Sequence, residues 1–528
     1  MTGRRIRTTA AAVAAVLLGA AGCSSPSEGG GGSPDASYVV GIATEPETLS
    51  PLLGYGKDGN SKIFDGLLSR DADLKLTPAL AAELPERSED GLTYTYTLRE
   101  DVTFSDGTPF TAADVVFTYE TILDEGTNNP ARGELDVVES VTAEGDHRVV
   151  FRLKYPYAAF PERTVLPIAS EAVAGKQDVN TGAYNTEPVG TGPYVLTSWS
   201  RGEKLSFRAN PDYWGGEPEV EKLTMAVIGD DDIRATRLRS GDLDAAVLPP
   251  DLARTFADSA GKEIVEATSA DFRGVTLPTE NEVTGDRAVR RALDIAADRT
   301  SMVDNILDGA GRAAHGAVPT GSPWFAEGTE RPHDPAEAKR ILSEAGWEPG
   351  EDGVRVKDGR RAAFTLWYPA GDQVRQEHAL AFAGDAKEIG IDITVESGTW
   401  EVIEPAMKED AVLAGGGNPT DPDFDLYTLF HSDLAGDGFH NMARYANPAV
   451  DEKLEEGRRS ADREVREAAY DAVQRELRDD PGHIFLTHID HVYVMSGDWE
   501  NVTTQVEPHD HGLGTGPWWN IEDWRRGK

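Results

Sequence analysis

Cysteine is almost absent from this sequence, since Cys23 is the single one among 528 residues. An intramolecular disulfide needs two cysteines, so none can form within this chain. Side-chain packing alone must therefore stabilise the folded protein.

Basic residues are also scarce relative to acidic ones. The chain has 51 Lys and Arg against 92 Asp and Glu, which gives a formal net charge of -41. A surface with this charge repels nucleic acid and anionic lipid headgroups. Binding to DNA, RNA or a membrane through a basic patch is therefore disfavoured. An anionic ligand would enter against the same field, whereas a neutral, zwitterionic or cationic ligand would not.

Long hydrophobic runs are missing after the first two dozen residues. Hydrophobic residues make up 39% of the chain and aromatic residues 8%, which is enough to bury a large core. A single core rarely organises a chain of this length, so we expect two or three domains. Domains that face each other create a cleft, and we expect the function to lie there.

The first 22 residues have the layout of a cleaved export signal. Three arginines precede a short apolar run, Ala10 to Leu18, and small residues lead from there to Cys23. The run from Leu17 to Cys23 resembles a bacterial lipobox, although Ala20 stands where that pattern prefers leucine. We therefore predict a signal peptide over 1–22, a lipidated Cys23, and a flexible linker rich in Ser, Gly and Pro over 23–37. The alternative is a secreted protein with an incidental cysteine.

Beyond the linker, strand and helix patterns alternate. Residues 92–98 place Tyr and Leu at every second position with Thr between them, which predicts a strand with one buried face. Thr111 and Asp114 predict the start of a helix, and Asp334-Pro335 and Gly346 predict the two ends of another. An apolar stripe among the charges of 462–478 predicts a surface helix. The pattern indicates a mixed α/β body.

Six segments occur in an order and spacing typical of one protein family. Through them the chain resembles the peptide- and nickel-binding class, family 5, of the extracellular solute-binding proteins of ABC-type importers. The segments are EPETLSP at 45–51, TPALA at 77–81, TFSDGTPFTAADVV at 103–116, GTGPY at 190–194, NPDYWGG at 210–216 and RRALDIAADR at 290–299.

This resemblance implies a two-lobed α/β fold of the periplasmic-binding-protein type, with a hinge and an additional domain inserted in the first lobe. Carried onto this chain, it predicts lobe I from 38–55, 188–267 and 498–528, the inserted domain over 56–187, and lobe II over 268–497. Two lobes that close over a solute give two discrete states that a membrane partner can distinguish.

The resemblance also implies a function without catalysis or cofactor. We expect a monomer, held by its lipid on the extracytoplasmic face of the cell membrane, that captures short peptides and delivers them to an ABC permease. The chain has no nucleotide-binding loop, so the ATPase must be a separate chain. The alternatives are a nickel or other metal chelate, a sugar-containing solute or another small polar molecule. A secreted hydrolase is a further alternative, but the chain lacks a G-x-S-x-G elbow, an H-E-x-x-H helix and a cysteine nucleophile.

The family places a ligand-lining loop at Asn418 to Tyr427. Asp421 and Asp423 could hold a ligand amine or, alternatively, cap turns and the next helix. Peptide-binding relatives have an aspartate for the ligand amine where this chain has Asn418, and a tryptophan where it has the run Gly415 to Gly417. The aromatic residues Tyr55, Trp367, Tyr368 and Trp400 could form stacking walls or, alternatively, belong to the core, and Asn441 could instead serve a loop hydrogen bond. Ligand contacts are predicted for Tyr55, Trp367, Trp400, Asn418, Asp421, Asp423, Tyr427 and Asn441.

Histidine pairs raise the question of a metal site. On one strand, His488 and His491 would point to opposite faces, so a single metal could not bind both. His509 and His511 are compatible with one face, but two imidazoles in a Gly-rich tail are more typical of loop hydrogen bonds. We therefore predict no metal site in the protein itself.

Overall fold

The computed structural model of this protein describes residues 36–509 and 513–527. The predicted signal peptide, Cys23 and His511 lie outside the described residues. Among the residues described, none of the helices has the length and apolar character that a membrane crossing requires.

The strands define the layers of the fold. In chain order they are β1 (Ser37–Ile42), β2 (Leu68–Arg70), β3 (Leu76–Pro78), β4 (Glu86–Arg87), β5 (Thr93–Thr97), β6 (Val138–Ala143), β7 (Arg148–Leu153), β8 (Tyr194–Ser200), β9 (Lys204–Ala209), β10 (Lys222–Val227), β11 (Ala245–Val247), β12 (Lys262–Ala267), β13 (Phe272–Thr276), β14 (Gly311–Ala313), β15 (Glu348–Pro349), β16 (Arg355–Lys357), β17 (Arg360–Arg361), β18 (Ala363–Pro369), β19 (Asp392–Gly398), β20 (Ala411–Gly416), β21 (His483–Ile489), β22 (His491–Ser496), β23 (Trp499–Glu500) and β24 (Arg525–Arg526).

The α-helices flank these strands. In chain order they are α1 (Ala112–Leu123), α2 (Glu171–Ala174), α3 (Asp231–Ser240), α4 (Pro250–Arg254), α5 (Arg287–Ala296), α6 (Arg299–Asn305), α7 (Pro335–Glu344), α8 (Gln373–Glu388), α9 (Trp400–Ala406), α10 (Pro422–Phe430), α11 (Pro448–Arg459) and α12 (Arg463–Asp479).

A seven-stranded sheet in the order β12-β22-β11-β1-β10-β9-β8 contains the first described strand near its centre. β1 runs parallel to both neighbours, β10 and β11. Its side chains Tyr38 and Val40 are fully buried. The ring of Trp524, from the C-terminal tail, packs edge-on against Tyr38 at 5.2 Å. The tail is therefore part of the same layer as the start of the described chain.

A second, six-stranded sheet has the order β14-β21-β13-β20-β18-β19. All five residues of β13 are buried, which is typical of a strand covered on both faces. Leu293 of α5, Leu342 of α7 and Phe382 of α8 pack in the core of this half. The second sheet thus has its own hydrophobic centre.

A four-stranded antiparallel sheet, β4-β5-β7-β6, lies in the first third of the chain. Tyr94 and Tyr96 of β5 are buried and the flanking threonines are more exposed, as the alternation predicted. α1 packs here, and its capping box joins Thr111 and Asp114, which confirms the predicted start. The other two predicted helices are confirmed as α7 and α12.

The chain crosses twice between the two large sheets. The first crossing joins β12 to β13 and the second joins β21 to β22. β22 pairs with β11 and β12 in the seven-stranded sheet, so the boundary predicted for lobe II at 497 is wrong, because the chain has already returned at His491. The remaining domain boundaries stay predictions.

Candidate ligand-binding site

A cavity of about 300 Å³ lies among segments that are distant in sequence. One wall comes from residues of the stretch 58–79, from Tyr213 and Trp214, and from the C-terminal tail. Asn418, Pro419 and Thr420, just before α10, also line the cavity. A small polar cavity between separately organised parts of a chain is a typical place for a ligand.

The cavity wall carries more acid than base. Lys62 is already paired with Glu522 at 2.7 Å, and Arg70 with Glu162 at 3.1 Å. The excess of carboxylates favours a ligand with a cationic group. The charged wall residues are Asp58, Asp65, Asp71, Glu522 and Asp523 on the acidic side, and Lys62 and Arg70 on the basic side.

Asp65 is the wall carboxylate with the most defined orientation. It accepts hydrogen bonds from the indole of Trp214 at 3.0 Å and the hydroxyl of Thr191 at 2.9 Å. Burial raises the pKa of Asp65 above its ordinary value, although these donors oppose the shift. A cationic ligand group placed beside it would lower that pKa again, so Asp65 is a candidate counter-charge.

The glycines before Asn418 are required by a close approach of two backbone segments. Gly417 has φ +133°, and a Cβ there would overlap the carbonyl oxygen of Ala270 in the first crossing. A Cβ on Gly416 would lie 3.1 Å from the ring of Phe272. Residues 415–420, called the ligand loop below, can therefore lie directly on the crossing segment only because they begin with glycine.

Asn418 is held by local hydrogen bonds and lies on the cavity wall. Its side-chain oxygen accepts from the backbone N–H of Thr420 at 3.0 Å and from the Thr420 hydroxyl at 2.6 Å. Its own backbone N–H donates to Asp425 at 2.9 Å. Burial raises the pKa of Asp425 to about 7. Within the described chain the side-chain nitrogen of Asn418 has no hydrogen-bond acceptor, so it is available to the cavity.

Asp421 and Asp423 have structural partners instead of facing the cavity. Asp421 caps α10 through the N–H of Asp423 at 3.0 Å and pairs with Arg466 at 2.7 Å. Asp423 is fully buried and pairs with Arg458 at 2.8 Å. It also accepts from the hydroxyl of Tyr157 at 2.9 Å. The predicted ligand roles of these two acids are therefore corrected to capping and ion pairing.

Asn441 likewise serves the loop around it. It is fully buried with φ 32°, and its amide donates to the carbonyls of His431 at 3.0 Å and Tyr445 at 2.8 Å. Its oxygen accepts from the N–H of Tyr445 at 2.8 Å. Every polar atom of the side chain is used in this way, so the predicted ligand contact is replaced by the loop hydrogen bonds that were its alternative.

The predicted aromatic walls are also engaged elsewhere. Trp367 donates to Asp410 at 2.9 Å, and Trp400 packs edge-on against Phe439 at 5.0 Å. Tyr427 lies under the guanidinium of Arg458 at 3.2 Å.

Tyr55 packs against the hydrophobic core that contains Tyr38 and Val40, and burial raises its pKa to about 12.

The eight residues predicted to bind ligand all belong to the described part of the chain. Of these, Asn418 alone lines the cavity.

The histidines do not form a metal site in the described chain. His488 belongs to β21 and His491 to β22, which lie in two different sheets, so the two histidines do not share one strand. Neither residues 36–509 nor 513–527 contain a group of three or more His, Cys, Asp or Glu that could hold a metal ion. His491 instead lies between two carboxylates at the crossings.

Comparison with known proteins decides the family. A family profile described as bacterial extracellular solute-binding proteins, family 5 Middle, matches residues 75–437. The chain belongs to this family. Protein XP55 of Streptomyces lividans is 66% identical over 471 residues, covering 89% of this chain and 87% of that protein. The oligopeptide-binding protein AppA of Bacillus subtilis is 29% identical, covering 85% of each chain.

The fold comparison agrees with the family 5 membership. The crystal structure of NikZ from Campylobacter jejuni in complex with Ni(L-His) superposes with a TM-score of 0.83 and 28% identity. The match covers 93% of this chain and 100% of that one. The predicted family and the two-lobed α/β fold are thereby confirmed. A family 5 protein binds its solute without converting it, so this chain is a binding protein and not an enzyme.

Sequence reasoning missed most of the cavity wall. Trp214 had a signal, because it belongs to the segment NPDYWGG that carried the resemblance. Asp65 and Lys62 had none, since they stand in an irregular stretch without a periodic pattern, and Arg70 ends the three-residue strand β2, which is too short to show one.

Proposed function

We propose that this family 5 protein captures short peptides through their free amino group. The observation that carries the proposal is the acidic excess on the cavity wall, to which both the oriented carboxylate of Asp65 and residues of the ligand loop belong. A desolvated ammonium group needs such a counter-charge. The name of AppA, an oligopeptide-binding protein, supports the same class of ligand.

The size of the cavity favours the shorter peptides. Ligand pockets in proteins usually span about 300 to 1,000 Å³. The cavity described above, at about 300 Å³, lies at the lower end of that range. A dipeptide or tripeptide therefore fits the site better than a long peptide does.

Mass spectrometry of the small molecules released by acid from the purified protein tests this proposal. We expect dipeptides or tripeptides with an unmodified amino group, in an amount approaching one per protein. A released metal chelate or sugar in that amount, without peptide, would overturn the assignment.

A nickel chelate is the second candidate. It is favoured by Asn418, which supplies an amide where peptide-binding relatives have an acid, and by the similarity to NikZ, whose structure contains Ni(L-His). A chelate brings its own donor atoms and so does not need a metal site in the protein. Measuring nickel in the same acid extract distinguishes the two candidates.

Capture by closure of the lobes also defines the partners we propose. The two crossings connect two lobes that can close over the cavity. A ligand that contacts both lobes shifts the population toward the closed state. An ABC permease that recognises the closed state then receives the solute, with its ATPase on a separate chain. The protein acts as a monomer in this scheme.

We further propose that the protein is a lipoprotein anchored through Cys23. The lipobox-like run before it and the Ser, Gly and Pro tether after it support this. Lipoproteins carry more than one acyl chain, which anchors firmly where a single chain does not. Cys23→Ala is expected to move the protein from the membrane fraction to the soluble fraction, as measured by immunoblotting, while Ser24→Ala leaves it in the membrane. Equal membrane fractions for parent and Cys23→Ala would contradict the anchor.

A further inference from the structure

Three segments meet where the chain crosses between the two large sheets. They are the first crossing at 268–271, the second crossing at 489–491, and the tail at 507–509. Glu507 donates its N–H to the carbonyl of Thr268 at 2.9 Å, and Ala270 donates to the carbonyl of Glu507 at 2.8 Å. The tail is thus bound along the first crossing by backbone hydrogen bonds on both sides.

Each of these segments contributes one charged side chain to a buried group, called the hinge cluster below. Asp271 comes from the first crossing, His491 from the second and Glu507 from the tail. Nδ1 of His491 contacts the carboxylate of Glu507, and Nε2 lies 3.5 Å from that of Asp271. Asp271 and Glu507 are fully buried and His491 nearly so. The imidazole therefore bridges the two crossings and the tail.

The charges of the cluster depend on each other. Burial alone would lower the pKa of His491, but its bonds to Asp271 and Glu507 outweigh burial and raise the pKa to about 9. Burial opposes ionisation of Asp271 too, yet Arg273, His491 and His509 hold the pKa of Asp271 well below its ordinary value. At neutral pH the cluster is therefore one imidazolium between two carboxylates.

Other polar groups face the cluster from the neighbouring elements. The hydroxyl of Tyr493, on β22, donates to Glu507. Nδ1 of His509, on the tail, lies 2.6 Å from Asp271. On the second crossing, Asp490 pairs with Arg312 of β14 at 2.6 Å. Within the described chain these groups and Arg273 complete the charged surroundings of His491.

The ligand loop rests on the same segments. Gly417 accepts a hydrogen bond from the N–H of His509 at 2.9 Å, and it has no room for a side chain against Ala270. A Cβ on Gly415 would lie 2.8 Å from the guanidinium of Arg273. A shift of either the tail or the first crossing must therefore move the loop that carries Asn418.

We propose that the hinge cluster positions the ligand loop, with His491 as the positioning residue that joins the two crossings and the tail. Loss of the imidazolium removes the cation between the buried carboxylates of Asp271 and Glu507. Asp271 keeps its ion pairs with Arg273 and His509, but Glu507 loses its charged partner, which weakens the attachment of the tail to the first crossing. The loop then loses the hydrogen bond that Gly417 accepts from the N–H of His509 and the close packing of Gly415 against Arg273. The proposal rests on the proposed function only in treating residues 415–420 as part of the ligand site.

The pH dependence follows from the direction of the shift. The pKa of His491 is raised in the folded protein, so its contribution is present at neutral pH and lost as the pH rises through about 9. If the cluster merely stabilised the whole fold, its loss would lower amide protection in all parts of the protein alike. If it positions the ligand loop, its loss lowers the protection of that loop first.

Amide hydrogen exchange of the full chain without ligand tests this, using millisecond labelling pulses between pH 7 and pH 10. At pH 7, His491→Gln is expected to lower the protection factors of the amides of Asn418 and Thr420 about tenfold relative to the parent, with β18 unchanged. In the parent the same loss is expected as the pH passes about 9, and in His491→Gln the protection is independent of pH. His315→Gln, which replaces a half-buried histidine away from the loop, serves as the control.

Equal protection of the loop in parent and His491→Gln, or a loss in β18 as large as that in the loop, would overturn the proposal. If His491→Gln does not fold, the parent decides alone, since a loop protection that stays constant through pH 9 also overturns it. Because no ligand is present, this outcome is independent of whether the solute is a peptide.

Discussion

Arg458→Met is expected to lower the free energy of unfolding by about 3 to 5 kcal/mol, the usual loss when one member of a buried ion pair is removed. Its partner Asp423 is fully buried and would keep only the hydroxyls of Tyr157 and Tyr470 as donors. Methionine fills most of the volume of the arginine stem. The loss in unfolding free energy therefore measures the cost of leaving the Asp423 carboxylate without its charged partner. Denaturant unfolding followed by circular dichroism measures it.

The next residue provides a matched control. Arg459 is half exposed and pairs with Glu455 on the same helix. Arg459→Met removes the same chemical group one position along α11, and we expect a change within about 0.5 kcal/mol, as for most exposed positions. Similar losses in the two variants would show that the pair between Asp423 and Arg458 has no special part in stability.

Asn418→Asp is expected to raise the affinity for a peptide with a free amino group about tenfold or more, since a charge-assisted hydrogen bond contributes about 1.5 to 3 kcal/mol. The new carboxylate can keep the bonds from Thr420 and still present negative charge to the cavity. An N-acetylated peptide has no charge at that end and should gain nothing. Titration calorimetry with trialanine and N-acetyl-trialanine measures both.

Asn60→Asp is the control for this substitution, because it makes the same chemical change at another position on the wall of the same cavity. A gain confined to Asn418→Asp locates the amino group near the ligand loop. An equal gain in both variants would indicate a general effect of negative charge, and weaker binding in Asn418→Asp would favour the neutral or metal-chelate ligand.

Local patterns were sufficient to predict much of the fold. The Tyr and Thr alternation of β5 and the capping box of α1 involve residues that are neighbours in sequence, so their spacing alone determines which face is buried. The end of lobe II could not be predicted from such local patterns. β22 is buried throughout, and such a strand has the same pattern whichever of the two sheets it joins.

The site was harder to predict because partners decide what a charged residue does. Asp423 and Asp421 resemble ligand contacts until Arg458 and Arg466 are brought to them from 35 and 45 residues away. The family resemblance marks the position of Asn418 directly, and its contact with a ligand stays a prediction. Asp65 became a candidate only when the fold placed Trp214 beside it.

The central claim is that the cavity holds a ligand by its ammonium group, and titration of the parent protein with trialanine and N-acetyl-trialanine tests it most directly. We expect the parent to bind trialanine and acetylation to weaken binding at least about tenfold, because the acidic wall then faces a neutral amide. Equal affinity for the two peptides, or binding of neither, would contradict it.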